Sequence, residues 1–272
     1  MKQEGEPRTA ASTTLKQCCA RLYESDVAKL LLGESFHPGG LKLTERLGRL
    51  LELGPDTRVL DVASGRGTSA IYLAERFGCT VVGIDFGSQS VEHANEQAAI
   101  RGMGWSRIHF QQADAESLPF PDTSFDVVVC ECAFCTFPDK SRVATEFSRV
   151  LRRGGRLGIN DLTRSAALPK ALEGLLSWIS CIADAQPIES YIEWFRAAGL
   201  APQTTESHDD ELVEMVRQVQ SKLLGIEIMN GLKKIDLPGL DLTSAKEMAQ
   251  AALSAVQTGQ LGYAVIIGAK PD

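Results

Sequence analysis

No apolar run in this chain approaches the roughly 20 residues a membrane-spanning helix needs, and no repeat or low-complexity tract interrupts its 272 residues. Basic residues are outnumbered, 28 Lys and Arg against 35 Asp and Glu, and the net charge of −7 argues against a nucleic-acid backbone as partner. The densest basic cluster, Arg152, Arg153 and Arg156, reads as a solvated turn. The four histidines, His37, His93, His109 and His208, show no metal-site spacing. Cysteines are seven, an odd count that fits no small-domain disulfide framework, so they are expected as thiols in a reducing compartment.

What is present supports a sizeable core, with 44% hydrophobic residues. Residues 1–14 are polar, lack the apolar centre of a secretory leader and read as a disordered tail of a cytoplasmic protein.

The stretch that organises the rest starts at Arg58. Val59, Leu60 and Val62 form a short buried-strand pattern, Gly65 and Gly67 make a tight turn, and Ala70, Leu73, Ala74 and Phe77 repeat at helical spacing up to Gly78. A second apolar strand, 80–84, ends at Asp85, an acid about twenty residues after the glycines. This is a βαβ unit with a nucleotide-type crevice. Asp61 opens the turn, and its charge would repel a pyrophosphate but suits a cationic ligand.

With Asp61-x-Ala63-x-Gly65-x-Gly67 in place, the sequence resembles the class I S-adenosylmethionine-dependent methyltransferases, whose first motif has this acid-and-glycine form; Ala63 stands where the family has its first glycine. The resemblance continues through Asp114-Ala115, through the 118–129 loop and strand, and through the Arg153-Gly154-Gly155 turn into a fifth strand. It implies an α/β fold, a doubly wound Rossmann-like sheet with N-terminal helices and a helical lid, whose last strand is inserted antiparallel beside strand five. The implied cofactor is S-adenosylmethionine. Its contacts would come from Asp61, Ala63, Gly65, Gly67, Asp85, Phe86, Asp114, Ala115 and Cys130, with Asp85 on the ribose and Asp114-Ala115 on the adenine.

Four regions follow: the tail 1–14; an N-terminal cap helix and loop, 15–40; an α/β core that binds the cofactor, 41–164; and substrate-side helices with the last strands, 165–272. Strands are expected near 57–62, 80–84, 107–111, 125–130, 156–160, 200–207 and 261–268. Helices are expected near 15–32, 41–53, 67–77, 88–101, 141–151, 168–183, 188–198, 211–226 and 243–258. Trp178, Tyr191, Trp194 and Phe195 read as an aromatic wall or as core.

The acceptor is a separate question. Cys130, Glu131, Cys132 and Cys135 fall at the C-terminal end of strand four, where α/β sites form. If the strand persists, Cys130 and Cys132 share one face and Glu131 the other. The 124–140 segment is similar to the arsenite methyltransferases, which places Cys132 on a metalloid-binding cysteine and Cys181 near a second. Cys18 and Cys19 lie in the region where that branch keeps further thiols. Arsenic(III), held by Cys132 and Cys181 with Cys18, Cys19 or Cys135, would then be the acceptor. Against this stand packing roles for Cys79 and Cys130, and a zinc site from Cys130, Cys132 and Cys135 that lacks a fourth ligand. Two other readings stay open. One is a carbon-, oxygen- or nitrogen-methyltransferase of an apolar small molecule such as a quinone, with His37, Glu131 or His208 as base. The other is a non-catalytic cofactor-binding or metal-thiol sensor protein.

Overall fold

A computed structural model describes residues 16, 30–31, 33, 37–172, 182, 184–231 and 241–272. The chain enters helix α1 (Gly40–Leu50), then alternates β1 (Arg58–Val62), α2 (Thr68–Phe77), β2 (Thr80–Asp85), α3 (Ser88–Ile100) and β3 (Ile108–Gln112). Next come β4 (Phe125–Glu131), α4 (Lys140–Val150) and the long β5 (Leu151–Arg164). Then follow α5 (Ile188–Ala197), β6 (Ala201–Ser207), α6 (Asp209–Gly231), α7 (Leu242–Gln257) and β7 (Leu261–Ala269).

These strands form one seven-stranded sheet in the order β3-β2-β1-β4-β5-β7-β6. The first five run parallel, while β7 is antiparallel to both β5 and β6. The strand order carries the chain outward from β1 in one direction and from β4 in the other. The order reverses between β1 and β4, and the crevice outside the carboxyl ends of these two strands is where such sheets bind ligands.

The central strands are mostly apolar, as a sheet buried on both faces requires. Val59, Leu60, Val62, Val128 and Val129 are fully buried. Helix α1 lays Leu47 and Leu51 against Gly158 of β5, a position where an added Cβ would come within 2.7 Å of Leu51. The expected strands and the inserted antiparallel strand are all present. Strand β5 runs past the expected end at residue 160 because Asn160 and Asp161, polar enough to suggest a strand's end, are buried and hydrogen-bonded inside the sheet. Of the helix expected over 168–183, a 3-10 turn at Lys170–Leu172 lies within the described residues; most of the rest, like most of 15–32, lies outside them.

Candidate active site

The β1–α2 turn is the floor of the site. Ala63, Gly65 and Gly67 all take positive φ, 59°, 52° and 82°, so Ala63 adopts the left-handed conformation that glycine accepts at least cost. The turn is closed by the Gly67 N–H donating to the Ser64 carbonyl at 2.9 Å. Asp85, at the end of β2, is clamped by two backbone donors: the Gly65 N–H reaches Oδ2 and the Gly87 N–H reaches Oδ1, each at 2.8 Å. A Cβ added at Gly67 would meet Phe110 at 2.7 Å, whereas one added at Gly65 would project into open space. Gly67 is therefore tied to helix–sheet packing, and Gly65 leaves room for something to lie against the backbone.

Asp61 supplies the charge. It is 2% exposed, and among the described residues its Oδ2 has no hydrogen-bond partner. Burial, then Glu131, then Asp85 push its carboxyl well above the usual carboxylate range. A buried carboxylate oxygen without a partner, beside an open glycine backbone, fits a ligand that carries an ammonium group. The Ser64 hydroxyl is likewise unpartnered.

These groups open onto a cleft whose wall includes His37, Asp61, Ala63, Gly65, Asp85, Phe86, Asp114, Ala115, Glu131 and Cys132. Seven of the nine residues expected to hold a cofactor are thus brought together; Gly67, packed against Phe110 and Ala94, is not part of the wall. Cys130 is fully buried in the core and takes no part in the lining.

The cleft wall also carries a polar cluster drawn from the loop before α1, from α1, α2 and β4, and backed by β5 and β7. His37 and Glu131 are nearly buried, with His37 Nε2 3.6 Å from Glu131 Oε2. His37 Nδ1 lies 3.1 Å from the Pro38 carbonyl, which can only accept, so Nδ1 carries the proton and Nε2 is the basic nitrogen of the neutral ring. Nε2 also lies 3.3 Å from the hydroxyls of Ser69 and Thr44. Thr44 Oγ1 donates to Glu131 at 3.1 Å, and Asn160 Nδ2 donates to Glu131 Oε1 at 2.6 Å. Asn160 is fixed in turn by Tyr263, whose Oη donates to Asn160 Oδ1 at 2.7 Å. Burial, with Cys132 and Glu131 nearby, holds the Tyr263 phenol protonated.

Strand alternation misplaces the β4 end. The strand stops at Glu131, and Cys132 takes φ 53° with its N–H donating to the Asn160 carbonyl at 2.7 Å. That turn brings Glu131 and Cys132 to the cleft together and leaves Cys130 in the core. Cys135 is also fully buried, its N–H donating to Asp161 Oδ2 at 2.7 Å. Burial pushes the Cys79 thiol up to about 11, as expected of a packing residue. Cys132 is thus the cleft-lining cysteine among the described residues; Cys18, Cys19 and Cys181 lie outside them. Among the described residues no trio of His, Cys, Asp and Glu is arranged to hold a metal ion.

His208 sits away from the cleft, near Glu206 and Glu211 at 3.4 and 3.5 Å. His93 pairs with Arg66, and His109 stacks on Trp105. Tyr191 and Phe195 pack around Phe134 in the core; Trp178 is outside the described residues. Thr44, Ser69, Asn160, Tyr263 and the cleft-lining Lys16 were not legible as site residues. The one available signal was a polar residue on an otherwise apolar face, as for Thr44 between Leu43 and Leu47, or inside an apolar strand, as for Asn160.

The sequence model of a methyltransferase domain matches residues 53–222. The chain is 29% identical over 263 residues to 27-O-demethylrifamycin SV methyltransferase of Amycolatopsis mediterranei (strain S699), covering 91% of this chain and 94% of that protein. It is 30% identical over 234 residues to O-methyltransferase cnsE of Penicillium expansum, covering 84% and 77%. A structure of Haemonchus contortus phosphoethanolamine N-methyltransferase 2 with S-adenosyl-L-methionine superposes with a TM-score of 0.79 at 18% identity, over 95% of this chain and 60% of that one, a likeness of fold. With the turn, the switch-point crevice and the inserted antiparallel strand already in view, the match over most of the core settles the family: the chain belongs to the methyltransferase-domain family and is a class I S-adenosylmethionine-dependent methyltransferase.

Proposed function

We propose that this enzyme methylates a hydroxyl group of an organic small molecule and that His37 receives the hydroxyl proton. The observation that carries this reading is the buried His37–Glu131 pair on the cleft wall, with Nε2 3.6 Å from the carboxylate. S-adenosylmethionine, when bound, supplies a methyl group already activated on a sulfonium. The protein's own work is then alignment, exclusion of water and proton removal.

Asp61 and the Gly65 backbone would hold the methionine end, Asp85 the ribose, and Asp114 with Ala115 the adenine. As the acceptor oxygen bonds to the methyl carbon it must lose its proton. Nε2 is the basic atom at hand, and the imidazolium it becomes faces Glu131. Ser69 can donate to Nε2 and keep the ring in place, while Asn160 and Thr44 donate to the carboxylate. Two relatives named for oxygen methylation support the acceptor class.

Arsenic(III) has weaker support. A pyramidal thiolate cage needs converging cysteines, and Cys130 and Cys135 are packed in the core while Cys132 lines the cleft.

The test offers methyl-labelled S-adenosylmethionine with 27-O-demethylrifamycin SV, simple phenols, secondary alcohols and arsenite as separate acceptors. Label should appear on oxygen, and His37→Gln should lower kcat by about 10²-fold or more while cofactor affinity holds. Methylated arsenic formed by the parent and lost in Cys132→Ser would reverse the assignment. Cofactor binding with no transfer to any acceptor would favour a non-catalytic sensor.

A further inference from the structure

On the cleft wall, the Lys16 ammonium lies between two acids. Its Nζ is 2.8 Å from Asp114 Oδ2, 2.9 Å from Asp114 Oδ1 and 2.7 Å from Glu116 Oε2. The Lys16 side chain is 11% exposed and that of Glu116 15%, whereas Asp114, at 37%, stays within reach of solvent and salt. Asp114 and Glu116 are already linked, the Glu116 N–H donating to Asp114 Oδ1 at 3.0 Å. Glu116 also anchors the start of α4 by accepting the Asp139 N–H at 3.0 Å. Lys16 is 98 residues from Asp114 in sequence and itself lines the cleft.

Two neighbouring carboxylates on one short turn repel each other, and the single ammonium between them removes that repulsion. The lone pairs decide what else can bind. Asp114 Oδ1 accepts from both Lys16 and the Glu116 N–H, which fills it, whereas Oδ2 accepts from Lys16 alone and keeps one position. That remaining position can take an amino group, such as the exocyclic amine of an adenine, without releasing the lysine.

We propose that Lys16 is a cofactor-site residue: an ammonium clasp across the adenine end that fixes the Asp114 carboxylate and slows departure of the nucleoside. This rests on the reading of Asp114 as the adenine contact. The clasp joins Lys16 to the turn after β3 through two ion pairs, and the nucleoside it helps to hold departs more readily when they are weakened. Charge pairing makes that departure dependent on salt.

The experiment measures dissociation of labelled S-adenosylhomocysteine from the full chain at low and high salt, for the parent, Lys16→Met and Lys16→Arg. The parent should release the nucleoside faster at high salt. Lys16→Met should release it about fivefold faster than the parent at low salt, with little further response to salt, and Lys16→Arg should stay near the parent. Equal rates in the parent and Lys16→Met overturn the clasp. So does slower release from Lys16→Met, which would mean that lysine and adenine compete for Asp114. Thermal melting of each variant separates loss of the clasp from loss of fold. If the parent binds no S-adenosylhomocysteine, the cofactor reading itself falls and takes the clasp with it.

Discussion

The Tyr263 hydroxyl donates to Asn160 Oδ1 at 2.7 Å across the β5–β7 ladder, and Asn160 passes the constraint on by donating to Glu131 at 2.6 Å. Two fully buried residues that do not themselves line the cleft thereby set the orientation of a carboxylate that does. Tyr263→Phe should cost about 1–3 kcal/mol, because it leaves Asn160 Oδ1 buried without a donor. Urea unfolding measures that loss. Turnover should fall as well while cofactor affinity is unchanged, since Glu131 is loosened and the glycine turn is not. An unchanged kcat would remove Tyr263 from the chain of constraint.

Gly65 and Gly67 share one turn and should fail in different ways. Gly65→Ala places its methyl in open space, so stability should drop by only about 1 kcal/mol, for the left-handed backbone. Cofactor affinity should drop at least about tenfold as the methyl fills the cradle. Gly67→Ala drives a methyl to 2.7 Å from Phe110 and 2.9 Å from Ala94, and should destabilise by about 3 kcal/mol. Calorimetry of binding beside thermal melting distinguishes the two.

Ala63→Gly should help the fold. Ala63 holds φ 59°, where a Cβ costs roughly 1–2 kcal/mol, and the added freedom of glycine in the unfolded chain takes back about half of that. A net gain of about 0.5 kcal/mol is expected in chemical denaturation. A loss would show that the Ala63 methyl packs usefully against its surroundings.

Asp61 makes the cofactor-free protein sensitive to pH. Its folded pKa is raised by burial first and then by Glu131 and Asp85. An acid raised in this way favours the folded state at pH below its unfolded value and loses that contribution as pH climbs through the folded value. Relative to Asp61→Asn, the parent should therefore lose stability from about pH 4 upward. A ligand ammonium reverses the preference, so binding S-adenosylmethionine below the folded pKa should release a proton. Titration calorimetry in buffers of different ionisation enthalpy detects that proton, and Asp61→Asn should abolish it. Equal proton counts in both proteins would show that Asp61 is already ionised before binding.

The backbone frame was legible because β1, β2 and β4 are continuous apolar runs and the turn between β1 and α2 needs residues that accept positive φ. Asp61, Asp85 and Asp114 could be placed because each stands at or just past the carboxyl end of a strand. The part of the cleft that holds His37 and Glu131 was harder. Alternation along β4 assigns Glu131 and Cys132 to opposite faces, but it holds only while the backbone stays extended, and the positive φ of Cys132 ends it. Thr44, Ser69, Asn160 and Tyr263 come from four separate elements, and no local period reports that they meet. Buried Asn160 and Asp161 resembled a strand's end because the donors that satisfy them, Tyr263 and the Cys135 N–H, lie far away along the chain.

Strand β7 sits inside the sheet, between β5 and β6, although it is the last strand in the chain. During synthesis β6 therefore has no partner, and the outer edge of β5 stays bare, until residues 261–269 emerge. The parallel half from β3 to β5 can assemble early from near neighbours in sequence, whereas closure of the other half waits for pairings such as Arg156 with Ala269, a slow long-range contact. A ribosome stalled before residue 261 would hold a half-built sheet with a long unpaired edge, the kind of intermediate that chaperones bind.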